Sequence, residues 1–281
     1  MEKAEQDAIL AAISGRISQC TIPFCVVGAS LKGATAVLVE VDNRLFALTC
    51  NHTIPANQDD IWIISSRRIA KSHYIHNDIV IDSWRSPDPW LDAGLIELHP
   101  ENTRKLFDSD IVPLTLDEIS LSFDVGRVAV ASGYPGELVE NSQIVDSESG
   151  RHVEFKFQGI TIPAEPMPVN EWPVVRSPPD PASNPEVDIY LPYEQGKVVE
   201  VEHGGKRFNK AQAHPGGLSG CGVWQAKPYK EGIWTPDLRL VGIQSRSVPK
   251  KYLRAIRIRP VLELLASIDE SLKDRIDPIL E

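Results

Sequence analysis

The sequence predicts an all-β protein with one helix near each end. Three observations predict this. Short runs rich in β-branched and aromatic residues follow one another through most of the 281 residues, separated by Gly, Pro, Asn and Asp. The regular alternation of strand and helix that a parallel sheet requires is missing. Apolar residues at helical spacing occur only near the two termini.

The first helix is expected over residues 1–20, where Ile9, Ile13 and Ile17 recur every four residues. This segment carries acidic residues and no continuous apolar run, so it does not read as a secretory signal. A first series of strands follows: PFCVVGAS, ATAVLVEV, RLFALTC, IWIIS, DIVIDS and GLIEL. Lys32-Gly33 and Asp42-Asn43 punctuate it. A first β-unit is therefore drawn over 21–118. A second unit, 119–281, holds RVAVAS, HVEFKFQG, VDIYLP, KVVEVE, CGVW, LRLVGIQS and YLRAIRI. Many short strands of this kind make sandwiches or barrels. Pro260 then opens VLELLASIDESLKD, read as a C-terminal helix with one buried face.

Residues 161–195 depart from the strand pattern. They contain nine prolines, so the stretch is read as an extended, loop-like surface insertion. A rigid connector is the plain reading of it, and a substrate-binding loop is the alternative.

Composition narrows the function. A net charge of −10 and a pI near 5.2 argue against a general nucleic-acid or membrane-surface binder. No apolar run has the length of a membrane-spanning helix. The four cysteines, Cys20, Cys25, Cys50 and Cys221, lack the paired spacing of a zinc site. Reduced thiols in a cytoplasmic protein are expected, with a disulfide as the alternative. His73 and His76 have no third ligand in view, so no metal and no cofactor are expected.

The chemistry concentrates in HPGGLSGCGVW, residues 214–224. A serine between glycines sits on a tight turn, where main-chain N–H groups can face a ligand. Acyl transfer needs such an exposed hydroxyl beside N–H donors. By itself a glycine-flanked serine is only a turn. The order of its partners adds weight. None of the seven histidines follows Ser219, so the order Ser, Asp, His of α/β-hydrolases is excluded for this serine. The order His, Asp, Ser stays open. His52 ends the apolar run RLFALTC and its turn, and Asp92 opens the apolar strand LDAGLIEL. Singly, each could be a turn or cap residue.

These segments resemble trypsin/chymotrypsin-like serine proteases, nearer to the HtrA-like bacterial branch than to secreted trypsins. FALTCNHTI is similar to "TAAHC", DAGLIEL to "DIALL", and GGLSGCGVW to "GDSGGP". LRLVGIQS is similar to "LVGIVS", and YLRAIRIRPVLELL to the last strand and closing helix of that branch. The resemblance implies two six-stranded antiparallel β-barrels, a chymotrypsin-like fold. It implies Ser219 as nucleophile, His52 as base and Asp92 as its orienting partner. The backbone N–H groups of Gly217 and Ser219 would form the oxyanion hole. Ala213 and His214 would line the primary pocket. Ser245, near Asp92, with Arg246 and Ser247, would pair with an extended substrate. No PDZ domain is expected after the helix.

Departures from the family pattern are specific. Leu218 stands where trypsins carry the aspartate that receives a new N-terminus, so activation of that kind is not expected. Cys221, two residues beyond the nucleophile, is read as a core residue. Ala213 offers no charge to a Lys or Arg side chain. Lys250, Lys251, Arg254, Arg257 and Arg259 read as a solvated strand edge, with recognition of acidic substrate groups as the alternative. The function expected is an endopeptidase acting on protein or peptide, restrained by a regulatory partner or by assembly. A catalytically idle fold that binds peptides is the competing reading, and an esterase or acyl transferase a weaker one.

Overall fold

A computed structural model of the chain describes residues 3–26, 32–57, 61–64, 75–76, 81–88, 90–99, 111–136, 139–147, 150–157, 159–174, 182–194, 198–203, 206–211, 214–226, 237–248 and 251–281. Of these, 3–11, 62–64, 75–76, 139–147, 150–157, 198–203 and 206–211 are described by backbone alone. Helix α1 (Lys3–Cys20) leads into β1 (Thr21–Val26), β2 (Lys32–Val41), β3 (Arg44–Cys50), β4 (Ile61–Ile64), β5 (Ile75–His76), β6 (Ile81–Arg85) and β7 (Ala93–Leu98). These form one antiparallel sheet in the order β5-β4-β1-β2-β3-β7-β6. Asp42 and Asn43 both have φ near +60°, at 54° and 62°. A two-residue type I′ hairpin between β2 and β3 requires that, and Asp and Asn tolerate it.

The second half contains β8 (Ala129–Gly133), β9 (Val139–Ser147), β10 (Gly150–Phe157), β11 (Ile160–Ala164), β12 (Asp188–Pro192), β13 (Val198–His203), β14 (Lys206–Ala211), β15 (Gly222–Ala226), β16 (Leu238–Val248) and β17 (Tyr252–Arg257). Six of these pair in the order β11-β8-β15-β16-β17-β12, and β9–β10 and β13–β14 form separate hairpins. Helices α2 (Ile258–Ala266) and α3 (Glu270–Leu280) close the chain. The fold is all-β with helices at both ends, as expected. The second main sheet has the six strands expected, and the first has a seventh, the two-residue β5.

Two expectations change. The proline-rich stretch 161–195 is not all loop. Residues 160–164 form β11 and 188–192 form β12, the two edge strands of the second sheet. An edge strand tolerates Pro163 and Pro192 because one side of it needs no N–H donor. The C-terminal helix is two helices. Ser267 N–H caps α2 on Glu263 and Leu264 carbonyls, and Asp269 then opens α3 by accepting Leu272 N–H at 3.1 Å. An aspartate at that spacing competes as an N-cap against continuation of the first helix.

The core follows from these elements. One buried cluster joins Ile13, Ile17 and Cys20 of α1 to Phe46 and Leu48 of β3. It continues to Trp224, Leu240 and Ile243 of the second sheet and to the apolar faces of α2 and α3. Ile9, on the same predicted face, lies outside the described side chains. α1 is also tied by Arg16 to Glu118 at 2.5 Å and by Ser14 to Thr161 at 3.1 Å. Residues 111–120 run between the sheets. Leu114 bonds to β2, and Ser120 N–H donates to Leu240 carbonyl at 3.0 Å.

Arg44 joins the first sheet to α3. Its guanidinium holds Glu97 through two bonds, 2.7 and 2.8 Å, and also meets the Asp269 carboxylate. Arg44 first, then the Leu272 N–H, holds the Asp269 carboxyl down from 3.8 to about 2. A carboxyl depressed on folding stabilises above its unfolded value, and that stability is lost as pH falls through the folded value. Asp269→Asn keeps the cap and removes the charge. Its melting temperature should fall about 1–3 °C below wild type near pH 6. That gap should close as pH drops from 3.8 towards about 2, followed by circular dichroism.

Candidate active site

His52 lies in a 3-10 turn, Asn51–Thr53, at the end of β3. Asp92 immediately precedes β7, the neighbour of β3 in the sheet. Their backbones are joined by Asn51 N–H to Asp92 carbonyl at 3.1 Å. The Asp92 carboxylate is buried, at 6% side-chain exposure, while the His52 ring is 49% exposed. One carboxylate oxygen accepts His52 backbone N–H at 3.0 Å, and the other sits 2.8 Å from His52 Nδ1. A carboxylate can only accept, so the ring donates from Nδ1 and leaves Nε2 as a base facing outward. Asp92 has φ +46°, a left-handed conformation that a non-glycine residue adopts at some cost.

Ser219 stands on a turn between His214 and β15. Glycines with positive φ flank it closely: Gly217 at +94° and Gly220 at +92°. A Cβ on Gly217 would meet Gly136 N at 2.4 Å, and one on Gly220 would meet Thr35 carbonyl oxygen at 1.9 Å. Neither position can take a side chain. The amides of this turn alternate. Gly216 N–H donates to His214 Nδ1 at 3.1 Å, Leu218 N–H to Pro215 carbonyl at 3.1 Å, Gly220 N–H to Gln244 carbonyl at 2.8 Å, and Cys221 N–H to Leu218 carbonyl at 2.8 Å. Among the described residues, the N–H groups of Gly217 and Ser219 have no acceptor. Gly136 N–H holds Gly216 carbonyl at 2.7 Å. In a trans peptide that turns the Gly217 N–H to the opposite side.

Thr35 on β2 joins the serine turn to the first sheet. Fully buried, it donates its N–H to Ser219 carbonyl at 3.0 Å and its hydroxyl to Gly217 carbonyl at 2.9 Å. Its hydroxyl accepts Tyr134 N–H at 3.0 Å, and its carbonyl accepts the Thr49 hydroxyl at 2.9 Å. Gln244 on β16 makes a second joint. Its carbonyl takes Gly220 N–H and also Cys50 Sγ–H at 2.9 Å, two residues before His52. Among the described residues, no hydrogen bond links Ser219 Oγ to His52.

The remaining expected residues fall as follows. Ala213 lies outside the described residues, as does His73, and His76 is described by backbone alone. His214 is exposed and turned onto Gly216 N–H. Ser245 is fully buried, and its hydroxyl bonds to Arg254 instead of to Asp92. The ladder of β15 with β16 ends at Ile243, whereas β17 continues to pair through Val248. Residues 245–248, including Arg246 and Ser247, therefore have one strand neighbour among the described residues. The basic stretch is not a solvated edge throughout. Arg254 is 1% exposed and ion-paired with Asp188, itself 0% exposed, at 2.7 Å. Arg257 is half-buried, with its guanidinium 5.4 Å from the centre of the Phe123 ring. β17 is no edge, since β16 and β12 pair with its two sides, and the face carrying Arg254 is buried. Only a knowledge of strand order would have revealed this.

Cys50 Sγ, His52 Nδ1 and an Asp92 oxygen lie within 4.8 Å of one another. Sγ is committed to Gln244 and Nδ1 to Asp92, and burial, then the Asp92 charge, pushes the Cys50 thiol well up. The group is a hydrogen-bonded pair with a neutral thiol beneath it, which does not suit a metal that needs thiolate. Leu218 and Cys221 are both fully buried in the second core. Burial pushes the thiols of Cys25 and Cys221 up to about 12. All four cysteines are buried. Native protein at pH 8 should therefore resist iodoacetamide, while protein in denaturant should take up four carboxamidomethyl groups by mass spectrometry. Rapid native alkylation at Cys221 would contradict its place in the core.

No family model and no curated protein matches the chain. Solved structures similar to it are proteases by their titles. They include the Rv3671c protease of M. tuberculosis in an inactive form, at 11% identity and TM-score 0.48 over 93% of this chain and 94% of that one. An HtrA-type protease, AlgW, matches at 15% identity and TM-score 0.45 over 92% and 62%. An inactivated protease paralogue of the scabies mite matches at 14% identity and TM-score 0.49 over 94% and 97%. The chain's own topology defines the fold. That topology is two antiparallel β-units with the histidine and aspartate on the first, the glycine-flanked serine on the second and a helix at the end, which is the chymotrypsin-like fold.

Proposed function

We propose that this chain is a serine endopeptidase that works through an acyl-enzyme. One observation carries the proposal. In the turn 216–221, Gly217 and Ser219 alone among the described amides lack an acceptor, beside a serine whose carbonyl is fixed by the strand before the His52 strand. Buried or half-buried N–H groups left unpaired are uncommon, and they suit an oxyanion that forms only during reaction.

The steps follow from these positions. Ser219 Oγ attacks the carbonyl carbon of an extended peptide, and its proton passes to His52 Nε2. The C=O bond becomes C–O⁻, and the oxyanion accepts from Gly217 and Ser219 N–H. One such donor is worth about 2.7–4 kcal/mol in the transition state. The C–N bond breaks as His52 returns the proton to the leaving amine. Water then repeats the sequence on the acyl-enzyme. Asp92 keeps the proton on Nδ1 and stabilises the imidazolium. Residues 245–247, paired on one side with β17 among the described residues, take the substrate as an added strand. The unmade Ser219–His52 bond fits this chemistry, because such bonds are often long until substrate binds. It equally suits the competing reading, an idle peptide-binding module.

A fluorophosphonate probe separates the two. Wild type should be labelled at Ser219 and Ser219→Ala should not. Asp92→Asn should slow labelling by about 10⁴-fold. A well-folded wild type that takes no label sinks the enzyme reading.

Restraint by a partner or by assembly belongs to the same proposal. Casein hydrolysis by purified protein should be slow and should rise on adding extract fractions from its native source. Full-rate hydrolysis by isolated monomer overturns restraint while leaving the endopeptidase reading intact.

A further inference from the structure

Arg254 is an unusual residue to bury. Its guanidinium is 1% exposed, and Asp188 opposite is 0% exposed. Nε donates to Asp188 Oδ1 at 2.8 Å, and the other carboxylate oxygen accepts Asn184 N–H at 2.8 Å. Desolvating such a pair offsets most of its attraction, so packing alone would be served as well by two apolar residues. The remaining donors show where the pair acts. Nη1 reaches Ser245 Oγ at 3.3 Å, on the strand that faces the serine turn. Nη2, itself 2.7 Å from Asp188 Oδ1, also reaches the carbonyl of Trp90 at 3.3 Å, two residues before Asp92.

The segment carrying Asp92 is otherwise held by the first unit. Ser86 N–H bonds to Ala93 carbonyl at 2.9 Å, and Trp90 N–H bonds to the Asp88 side chain at 2.9 Å. Among the described residues, Arg254 is the one side chain of the second sheet that hydrogen-bonds this segment. Asp92 itself sits in a left-handed conformation that its surroundings must enforce. The His52–Asp92 pair stands on one unit and Ser219 on the other, so their relative position depends on the few bonds that cross.

We propose that Arg254 is a positioning residue. It pins the Asp92 turn and the Ser245 hydroxyl to the second sheet, and so fixes the His52 ring relative to Ser219. The role rests on the serine-endopeptidase reading for its consequence in rate, though not for the geometry. A guanidinium is required because its rigid fork serves Asp188, Ser245 and Trp90 at once. A lysine ammonium keeps the charge and loses the fork.

The test uses full-length protein with Arg254→Lys, and a double variant, Arg254→Met with Asp188→Leu, that replaces the buried pair by apolar volume. Both should keep the native circular dichroism spectrum. In both, fluorophosphonate labelling should slow about tenfold or more, since small misplacements of reacting groups carry costs up to about 10²-fold. Steady-state kinetics on a cleaved peptide should show the loss in kcat, with KM little changed. A merely structural role predicts that lysine rescues the rate. Wild-type labelling by folded Arg254→Lys overturns the proposal, whether or not the double variant folds. A second readout does not need catalysis: the downfield proton resonance of His52 Nδ1–H in ¹⁵N-histidine protein. It should broaden or vanish in Arg254→Lys, and an unchanged resonance overturns the proposal. If wild type is never labelled, the endopeptidase reading fails, and the resonance alone decides the role of Arg254.

Discussion

The close approach of Thr35 to the turn around Ser219 is the contact on which the rest of the site depends. Four hydrogen bonds meet on this one buried residue, and two of them fix the carbonyls of Gly217 and Ser219. Gly220 makes the approach possible, because any side chain there would occupy the space of the Thr35 carbonyl. Gly133 yields in the same way, with a Cβ that would lie 3.0 Å from the Thr35 hydroxyl. A threonine on an interior strand of the first sheet thus sets the backbone of a turn on the second. Each bond is worth about 1 kcal/mol in net terms. Losing the residue would leave several buried groups unpaired together, which costs considerably more.

Polar links of this kind bridge a seam that apolar packing also crosses. The large cluster from Ile13 to Ile276 runs through both units. Hydrophobic contact is not directional, whereas hydrogen bonds are. The Thr35 bonds, the Cys50–Gln244 bond and the Arg254 fork provide the direction. The first two act on the serine side of the seam and the third on the aspartate side.

Much of this was legible in the sequence, for identifiable reasons. Strands announce themselves through residues such as those of ATAVLVEV and RLFALTC, and the Asp42-Asn43 turn through its tolerance of positive φ. The α1 face was readable from Ile13 and Ile17, which are indeed buried. His52, Asp92 and Ser219 could be singled out because each ends or opens an apolar run. What stayed hidden depends on which strand lies beside which. Arg254 looked solvated because a strand with charges resembles an edge until its two neighbours are known. Pro163 suggested a loop for the converse reason: it lies in a strand that has only one neighbour. The Ser245 hydroxyl was expected beside Asp92 and instead serves Arg254, a choice that no local pattern encodes. The break between α2 and α3 was readable in principle, since Asp269 carries the spacing of a cap.

The prolines of the second sheet bear on how its margins meet other chains. Unpaired backbone at the margin of a sheet invites self-association. Here both outer strands of the six-stranded sheet carry a proline, Pro163 in β11 and Pro192 in β12. Proline cannot donate to an incoming strand and is a common guard against edge-to-edge growth. Residues 245–248, with one strand neighbour among the described residues, lie away from both guarded margins, along an interior strand. Fibril-like stacking through the margins is discouraged by the covalent structure of two residues.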